Sequence, residues 1–315
     1  TGTANVAVGR GALQVSTTAS DNTALGYNSL TENTTGTSNV AIGATALDAN
    51  TTASGNTAVG RSSLGNNTTG HSNTAVGCVA LLTNTTGNYL TGFGHGAAKC
   101  NTTGSDSTAI GADAMERVTT GSQNTGVGRL AGKGVTSGNG NTYLGFIAGC
   151  NITTGCYNTY VGAETGSSSA TVLFEQVFGR GGTGKGSGTW YASSSPNGVF
   201  NQANTTTWNQ TSDRRIKKNI VNNNVGLNKI AQVQVRDFEY RELDEVTDFE
   251  NPKAAHVDKT GVQIGVIAQE IEDIFPEMIT TQTTGVKTFN PEKLVFYLIN
   301  AIKELKTRIE VLENE

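Results

Sequence analysis

A serine and a lysine that could react together lie five residues apart within Thr211-Ser212-Asp213-Arg214-Arg215-Ile216-Lys217-Lys218. A neutral lysine can take the proton from a serine hydroxyl and so activate it as a nucleophile. The pKa of such a lysine must fall from about 10.4 to near neutrality, at a cost of about 4 kcal/mol, and neighbouring cations favour that fall. The residues alone fit a simpler arrangement better, in which Ser212 or Asp213 caps a helix and a solvated basic turn follows.

The composition argues against one large globular core. Of the 315 residues, 40 are glycine and only 6% are aromatic, which suits short stacked strands joined by glycine turns. A net charge of −4 gives no electrostatic reason to expect nucleic acid binding. Residues 1–211 carry 8 basic and 8 acidic side chains, whereas the shorter stretch 212–315 carries 14 and 18, which predicts a domain boundary near residue 212.

No segment suggests a membrane span or a metal site. An apolar run of about 18 residues is missing, so no membrane insertion is expected, and no leader segment is recognisable. The cysteines show no metal-ligand spacing, and we expect free thiols and neither a metal nor a cofactor. They are Cys78, Cys100, Cys150 and Cys156.

Residues 5 to 166 are ten tandem copies of one 17-residue unit, N-T-A-V-G-x-x-A-L-x-x-N-T-T-G-x-x. A disordered linker would have no reason to keep so strict a period, which is typical of a solenoid. We therefore expect residues 1–166 to form a mainly β rod, a β-solenoid or β-roll of ten coils. The fifth residue of the unit, the marker glycine, recurs at Gly9, Gly26, Gly43, Gly60, Gly77, Gly94, Gly111, Gly128, Gly145 and Gly162.

Three columns of the repeat predict how the coils stack. The residue before each marker glycine is always apolar, a leucine follows four places after it in the first copies, and an asparagine precedes it by four places in most copies. Coils stacked about 4.8 Å apart would give a rod of about 50 Å, with two short strands per coil, an apolar core and ladders of asparagine. The N-x-T triplets at Asn33, Asn50, Asn67, Asn84 and Asn101 share one phase of the repeat. That phase indicates turn residues more than glycosylation acceptors.

A coil of this size encloses few apolar side chains. We therefore expect the rod to bury a further face against sister chains in a symmetric homo-oligomer. The N-T-A-V-G core resembles the head repeats of trimeric autotransporter adhesins over residues 5 to about 166. That resemblance implies a trimeric β-roll, although the period here is longer.

Residues 167–211 lose the repeat pattern and are expected to be a connecting β segment, with strands near Val172 to Phe178. The run Gly179 to Gly186 resembles a phosphate-binding loop, but Gly186 stands where a serine or threonine is required, so nucleotide binding is not expected. The aromatic residues that follow could be packing anchors at a trimer axis, which we favour, or platforms on which sugars stack. They are Trp190, Tyr191, Phe200 and Trp208.

Residues 212–315 have the pattern of a small α+β domain. We expect a helix over 216 to about 233, a strand at 235–240, a second strand at 262–267 and a short helix over 268–275 that Pro276 ends. Asn290 and Pro291 are typical of a helix start. The closing helix carries an apolar seam at spacings of 3 and 4, which fits either a coiled coil between chains or packing within the domain. The seam is Val295, Leu298, Ile302, Leu305, Ile309 and Leu312.

The same stretch resembles the C-terminal intramolecular chaperone domain of endosialidase-type phage tailspikes, a self-cleaving Ser-Lys family. The resemblance rests on Ser212 to Ile220, on Gly265 to Glu270 with Phe275-Pro276-Glu277, and on the helix Leu298 to Leu305, and it covers about 212 to 312. It implies cleavage between Thr211 and Ser212, with Ser212 as the nucleophile and Lys217 as the base. With this resemblance, the self-cleaving Ser-Lys pair is favoured over the helix cap followed by a basic turn.

Together these patterns favour a viral tail fibre or tailspike segment. The expected partners are two further copies of the chain in a homotrimer, a host glycan or protein receptor and other tail proteins, in a virion. The only enzymatic activity expected, at most, is a single autoproteolytic cleavage, with no external substrate. The alternatives are a bacterial cell-surface trimeric adhesin and, less favoured, a glycan-degrading tailspike. The carboxylates of the rod, such as Glu32, Asp48, Asp113 and Glu164, lie in different phases and form no acid/base pair.

Overall fold

In the computed structural model the chain divides into two compact units, Thr1–Ser212 and Asp213–Glu315. The structure describes residues 2–194, 198–201, 214, 218–249, 252, 257, 259–282 and 285–314. The first unit is the predicted mainly β solenoid, which we call the rod, and the second is a small α+β unit that ends in a long helix.

The rod is built around one sheet, with 13 strands in the described residues and strand order equal to chain order. Each of the first ten strands pairs in parallel with the equivalent strand of the next copy, as Thr57 does with Thr74. Only one three-residue strand occurs in each coil, so the expectation of two strands per coil was wrong. The ten are β1 Val6–Val8, β2 Thr23–Leu25, β3 Val40–Ile42, β4 Thr57–Val59, β5 Thr74–Val76, β6 Thr91–Phe93, β7 Thr108–Ile110, β8 Thr125–Val127, β9 Thr142–Leu144 and β10 Thr159–Val161.

Left-handed backbone replaces the second strand. The marker glycine after each strand has a positive φ, and it is stacked so closely that a Cβ on Gly60 would lie 2.6 Å from the carbonyl oxygen of Gly77. The leucine four places later is also left-handed, with φ +49° at Leu64. A left-handed leucine costs about 1 kcal/mol, and complete burial of the side chain offsets that cost.

The core of the rod differs from the sequence-based prediction in one column. The leucine column is buried as expected, including Leu30, Leu47, Leu64 and Leu81. The apolar residue directly before each marker glycine points outward instead, with Phe93 54% exposed. Side chains alternate along a strand, and the central residue, such as Ala58 or Ala75, takes the inward place. The leucines leave room there only for a small side chain.

Complementary sizes explain why the leucine column fades towards the end of the rod. The inward strand position holds Tyr143 and then Tyr160, both completely buried with parallel rings 5.9 Å apart. The former leucine positions hold Gly132 and Gly149, where a Cβ would lie 2.5 and 2.4 Å from ring atoms of Tyr143. A large residue in one column thus requires glycine in the other.

Two asparagine ladders run along the rod. In the column four places before the marker glycine, the Asn56 backbone amide donates to Oδ1 of Asn39 at 3.0 Å, and Asn56 Nδ2 donates to the Gly70 carbonyl at 2.9 Å. In the N-x-T column, Asn67 Nδ2 donates to Oδ1 of Asn50 at 3.0 Å, and that Asn67 side chain is fully buried. The ladder prediction and the turn interpretation of the triplets are therefore confirmed.

Replacing Asn67 with alanine should lower the free energy of unfolding of the rod by about 2 to 4 kcal/mol. The change removes three buried hydrogen bonds, to Asn50, Gly70 and Asn84. The partner atoms in these three residues then have neither a protein partner nor a water molecule in place of Asn67. Asn66 is the matched control, because its side chain is exposed one residue away. Denaturant unfolding of both variants tests the ladder, and equal losses for Asn66→Ala and Asn67→Ala would contradict its importance.

The solenoid continues for an eleventh turn beyond the recognisable repeats, so the expected loss of the period at residue 167 was wrong for this turn. Strand β11, Gln176–Arg180, pairs with β10 at the same offset of one repeat unit, Thr159 opposite Gln176. The next offset is shorter, since β12, Trp190–Ser194, pairs Tyr191 with Val177, and β13, Gly198–Asn201, then turns back antiparallel. Tyr191 is buried in the core column and Phe200 packs against it, so both pack within the rod of one chain, and a place at a trimer axis stays a prediction. Trp208 lies outside the described residues.

Glu175 ends the asparagine ladder in this last turn. Its backbone amide donates to Oδ1 of Asn158 at 2.8 Å, and its buried carboxylate accepts from Tyr160 Oη at 2.9 Å, Ser168 N at 3.1 Å and Gly186 N at 2.8 Å. The glycine-rich run folds around this group so tightly that a Cβ on Gly184 would lie 2.0 Å from Glu175 Cδ. The run Gly179 to Gly186, which resembles a phosphate-binding loop, thus surrounds the Glu175 carboxylate of the same chain.

The C-terminal unit contains shorter elements. Strand β14, Arg236–Phe238, pairs antiparallel with β15, Gln263–Gly265, and β16, Ile279–Thr281, pairs antiparallel with β17, Lys287–Phe289. The helices are α1 Leu227–Ile230, α2 Ala268–Glu272 and α3 Leu294–Glu313, with single 3₁₀ turns at Leu243–Glu245, Pro276–Met278 and Pro291–Lys293. The helix expected over 216 to 233 was wrong within the described residues, because only 227–230 are helical there. Asn222, Asn223, Asn224 and Gly226 are poor helix formers.

Candidate functional site in the C-terminal unit

The predicted cleavage motif falls on residues that the structure does not describe. Thr211, Ser212 and Lys217 all lie outside the described residues. Their assigned chemistry therefore stays a prediction, and the described residues that follow the motif supply its structural context. Lys218 and the next residues, up to Asn224, are exposed and belong to no helix or strand.

A small aromatic core holds the unit together. Phe275 is completely buried, and its ring stacks on the buried ring of Tyr297 with centroids 5.2 Å apart. Lys229 Nζ lies 5.2 Å from the Phe275 ring and donates to the Ile274 carbonyl at 3.0 Å, which joins α1 to the end of α2. Burial, and then a hydrogen bond to Glu277, raise the pKa of Tyr297.

The segment after the cleavage motif is tied to the closing helix α3. Asn300 Nδ2 donates to the carbonyls of Asn223 at 2.8 Å and Val225 at 3.1 Å. Glu304 Oε2 accepts from the Leu227 backbone amide at 3.1 Å, at the start of α1. Two side chains of α3 therefore fix the path of the chain just downstream of the predicted cleavage point, a link that no motif in the sequence signals.

Helix α3 begins as predicted and presents two faces. The Asn290 side chain accepts from the Glu292 amide at 3.0 Å, and Pro291 occupies the first turn. The face with Tyr297 and Ala301 packs against the core of its own unit. The predicted seam lies on an adjacent face, and each of its residues is exposed in the single chain, namely Val295, Leu298, Ile302, Leu305, Ile309 and Leu312. The helix packs within its own unit through the Tyr297 face and not through the seam, and the coiled coil between chains stays a prediction.

Ion pairs connect the remaining elements at the surface. Arg236 on β14 forms a two-point contact with Glu270 on α2, at 2.9 and 3.2 Å, and that contact raises the pKa of Arg236. Lys287 on β17 pairs with Glu272 at the end of α2. Because these groups are all at least partly exposed, each pair orients its elements and adds little stability.

Two observations limit the chemistry of the described part of the chain. No group of three or more histidine, cysteine, aspartate or glutamate side chains there could hold a metal ion. Within the same residues, every helix is too short or too polar to span a bilayer. The four cysteines are free thiols, of which Cys150 is exposed and the others are partly buried.

The described residues thus form a β-solenoid followed by a small α+β unit, and the closing helix of that unit has an exposed apolar seam. In the comparison with protein families, residues 212–280 match the family described as chaperone of endosialidase. The matched range begins at Ser212 and ends before α3, so the resemblance that we noted from there to residue 312 stays a prediction. Neither the curated proteins nor the solved structures gave a match.

Proposed function

We propose that this chain is a homotrimeric segment of a viral tail fibre or tailspike. Its rod would serve as a rigid spacer and host contact, and its C-terminal unit would align the three chains during folding. The family match over residues 212–280 carries this proposal, because a chaperone of this type fits a trimer-folding role. The virion, the host glycan or protein receptor and the other tail proteins are part of the proposal.

The structure of the rod gives a physical reason for such a folding unit. Successive coils are nearly identical, so two chains displaced by one repeat unit would meet almost the same side chains. A unit that brings three chains together at one end before the rods associate removes that ambiguity. The exposed seam of α3 supports this role, because apolar side chains at heptad spacing are stable in water only when a partner covers them.

Truncation after residue 211 should abolish soluble, native-like trimers. Full-length chain and truncated chain are expressed in parallel and compared by sedimentation and by electron microscopy of rod length. The truncated chain is expected to aggregate or to form rods of uneven ends. Soluble trimers of uniform length from residues 1–211 alone would rule out the chaperone role.

The chaperone unit is further proposed to separate from the rod by self-cleavage. Ser212 Oγ attacks the carbonyl carbon of Thr211, to which its own nitrogen is bonded, so proximity is built in. Lys217 takes the hydroxyl proton and returns one to the leaving nitrogen of Ser212 as the C–N bond breaks. Water then hydrolyses the resulting ester, which leaves a carboxylate on Thr211 and restores the Ser212 hydroxyl.

A denaturing gel of the purified chain tests this reaction. The parent should give fragments of 211 and 104 residues, whereas Ser212→Ala and Lys217→Met should remain intact. Lys218→Met is the matched control, because it removes a neighbouring cation and should still be cleaved. An intact parent chain would leave a chaperone that does not cleave, and equal cleavage in Ser212→Ala would exclude Ser212 as the nucleophile.

A further inference from the structure

Exposed apolar side chains are concentrated on one side of the rod. Gly179 is the equivalent of a marker glycine in the eleventh turn. With Gly179 included, every exposed large apolar side chain among the described residues 2–194 except Val15 lies between six places before and one place after a marker glycine. The outward positions of the strands, one and three places before the marker, form the centre of this surface. We call these two columns the apolar flank.

The apolar flank carries no charge along the whole rod. Its column nearer the marker glycine holds only valine, leucine, isoleucine and phenylalanine, and its other column holds threonine, valine and one glutamine. Charged side chains stand at other positions of the coil, for example Lys99, Glu116 and Lys133, each five places after a marker. An uncharged apolar centre beside a charged surface is typical of the buried part of a protein interface.

The periodicity of the apolar flank identifies its occupant. The flank presents one apolar side chain per coil, about 4.8 Å apart, over eleven coils. Only a partner with the same spacing can stay in contact along that length, and a second copy of this chain has that spacing by construction. A rotation axis parallel to the rod brings the same column of each copy together.

One residue of the flank also distinguishes the coils. Phe93 is the only aromatic among the ten residues that directly precede a marker glycine in the repeats, and its neighbours along the column are Val76 and Ile110. In the aligned arrangement the Phe93 rings of the copies meet one another. A shift by one coil would set each ring against a smaller side chain.

We infer that the apolar flank is the surface through which copies of the rod associate, coil against the equivalent coil. The inference rests on the homotrimer of the proposed function and names its contact surface. Ile110, which is 39% exposed, lies near the middle of the flank, whereas Thr103 is exposed nine places after its marker glycine, away from the flank.

Cysteine cross-linking in the full chain tests the surface. The four native cysteines are changed to serine, and either Ile110→Cys or Thr103→Cys is introduced. A three-armed maleimide should convert Ile110→Cys into a covalent trimer and leave Thr103→Cys as single chains. Leu144→Cys, at the same position two coils further along the rod, serves if Ile110→Cys does not fold.

The outcomes separate this inference from the proposed function. Sedimentation that shows trimers, together with cross-linking confined to Ile110→Cys or Leu144→Cys, supports the apolar flank. Trimers that cross-link equally or better through Thr103→Cys overturn the flank and leave the homotrimer intact. Single chains in sedimentation overturn both.

Discussion

Replacing Glu175 with alanine should lower the free energy of unfolding of the rod by about 3 to 5 kcal/mol. The carboxylate accepts three hydrogen bonds inside the last turn, from Tyr160, Ser168 and Gly186, and it is completely buried. Alanine would strand these donors away from water and open a cavity beneath the glycine-rich run. Unfolding should therefore start at this end of the rod.

Glu164→Ala is the control for this change. Glu164 is half exposed, and its carboxylate lies 3.8 Å from Nε of Arg180, so its removal should cost less than about 0.5 kcal/mol. Denaturant unfolding gives the two free energies, and hydrogen exchange of residues 176–194 locates the change. Similar values for the two variants would show that the ladder does not need its terminal carboxylate.

The second large effect is expected in the C-terminal unit, where Phe275→Ala should cost about 3 to 5 kcal/mol. The Phe275 ring is completely buried between Tyr297 and the ammonium of Lys229, and a buried phenylalanine leaves a large cavity when it is removed. A unit this small is expected to unfold after such a loss. If the unit aligns the chains, the yield of refolded trimers should fall with it.

Phe296→Ala is the control, because it removes a phenylalanine side chain from α3, at the residue next to Tyr297. Phe296 is 62% exposed, so the stability of the unit should hardly change. Circular dichroism of the unit and the trimer yield after refolding are measured for both variants. An unfolded unit in Phe275→Ala that still yields normal trimers would refute the alignment role.

The sequence predicts the solenoid because the repeat is so strict, but it does not predict which apolar column lies inside. In most coils the residue before the marker glycine is larger and more apolar than the alanine beside it, and hydrophobicity alone places it in the core. The buried volume decides otherwise, since Leu64 and its equivalents already fill the coil. That volume depends on left-handed leucines, which no propensity favours.

The end of the rod shows a similar limit. The eleventh turn keeps the period of the repeat while most of its consensus residues change, with Glu175 in place of asparagine. The repeats are recognised by the residues that recur in them. A turn that keeps the backbone geometry but not those residues is therefore missed. In the C-terminal unit the heptad seam and the Asn290 cap were predictable from local spacing. The contacts of Asn300 and Glu304 with residues near 225 join segments more than 70 positions apart, which local patterns do not reveal.

The offset of 17 residues is uniform from β1 to β11, so the length of the rod is set by the number of coils. Each coil contacts only the coils before and after it through the same columns, so a coil can be duplicated or lost without creating a new kind of junction. One such event changes the length of the rod by about 4.8 Å, while Glu175 and the glycine-rich run still close the last turn. Length can therefore change in whole steps through gene duplication, independently of the C-terminal unit.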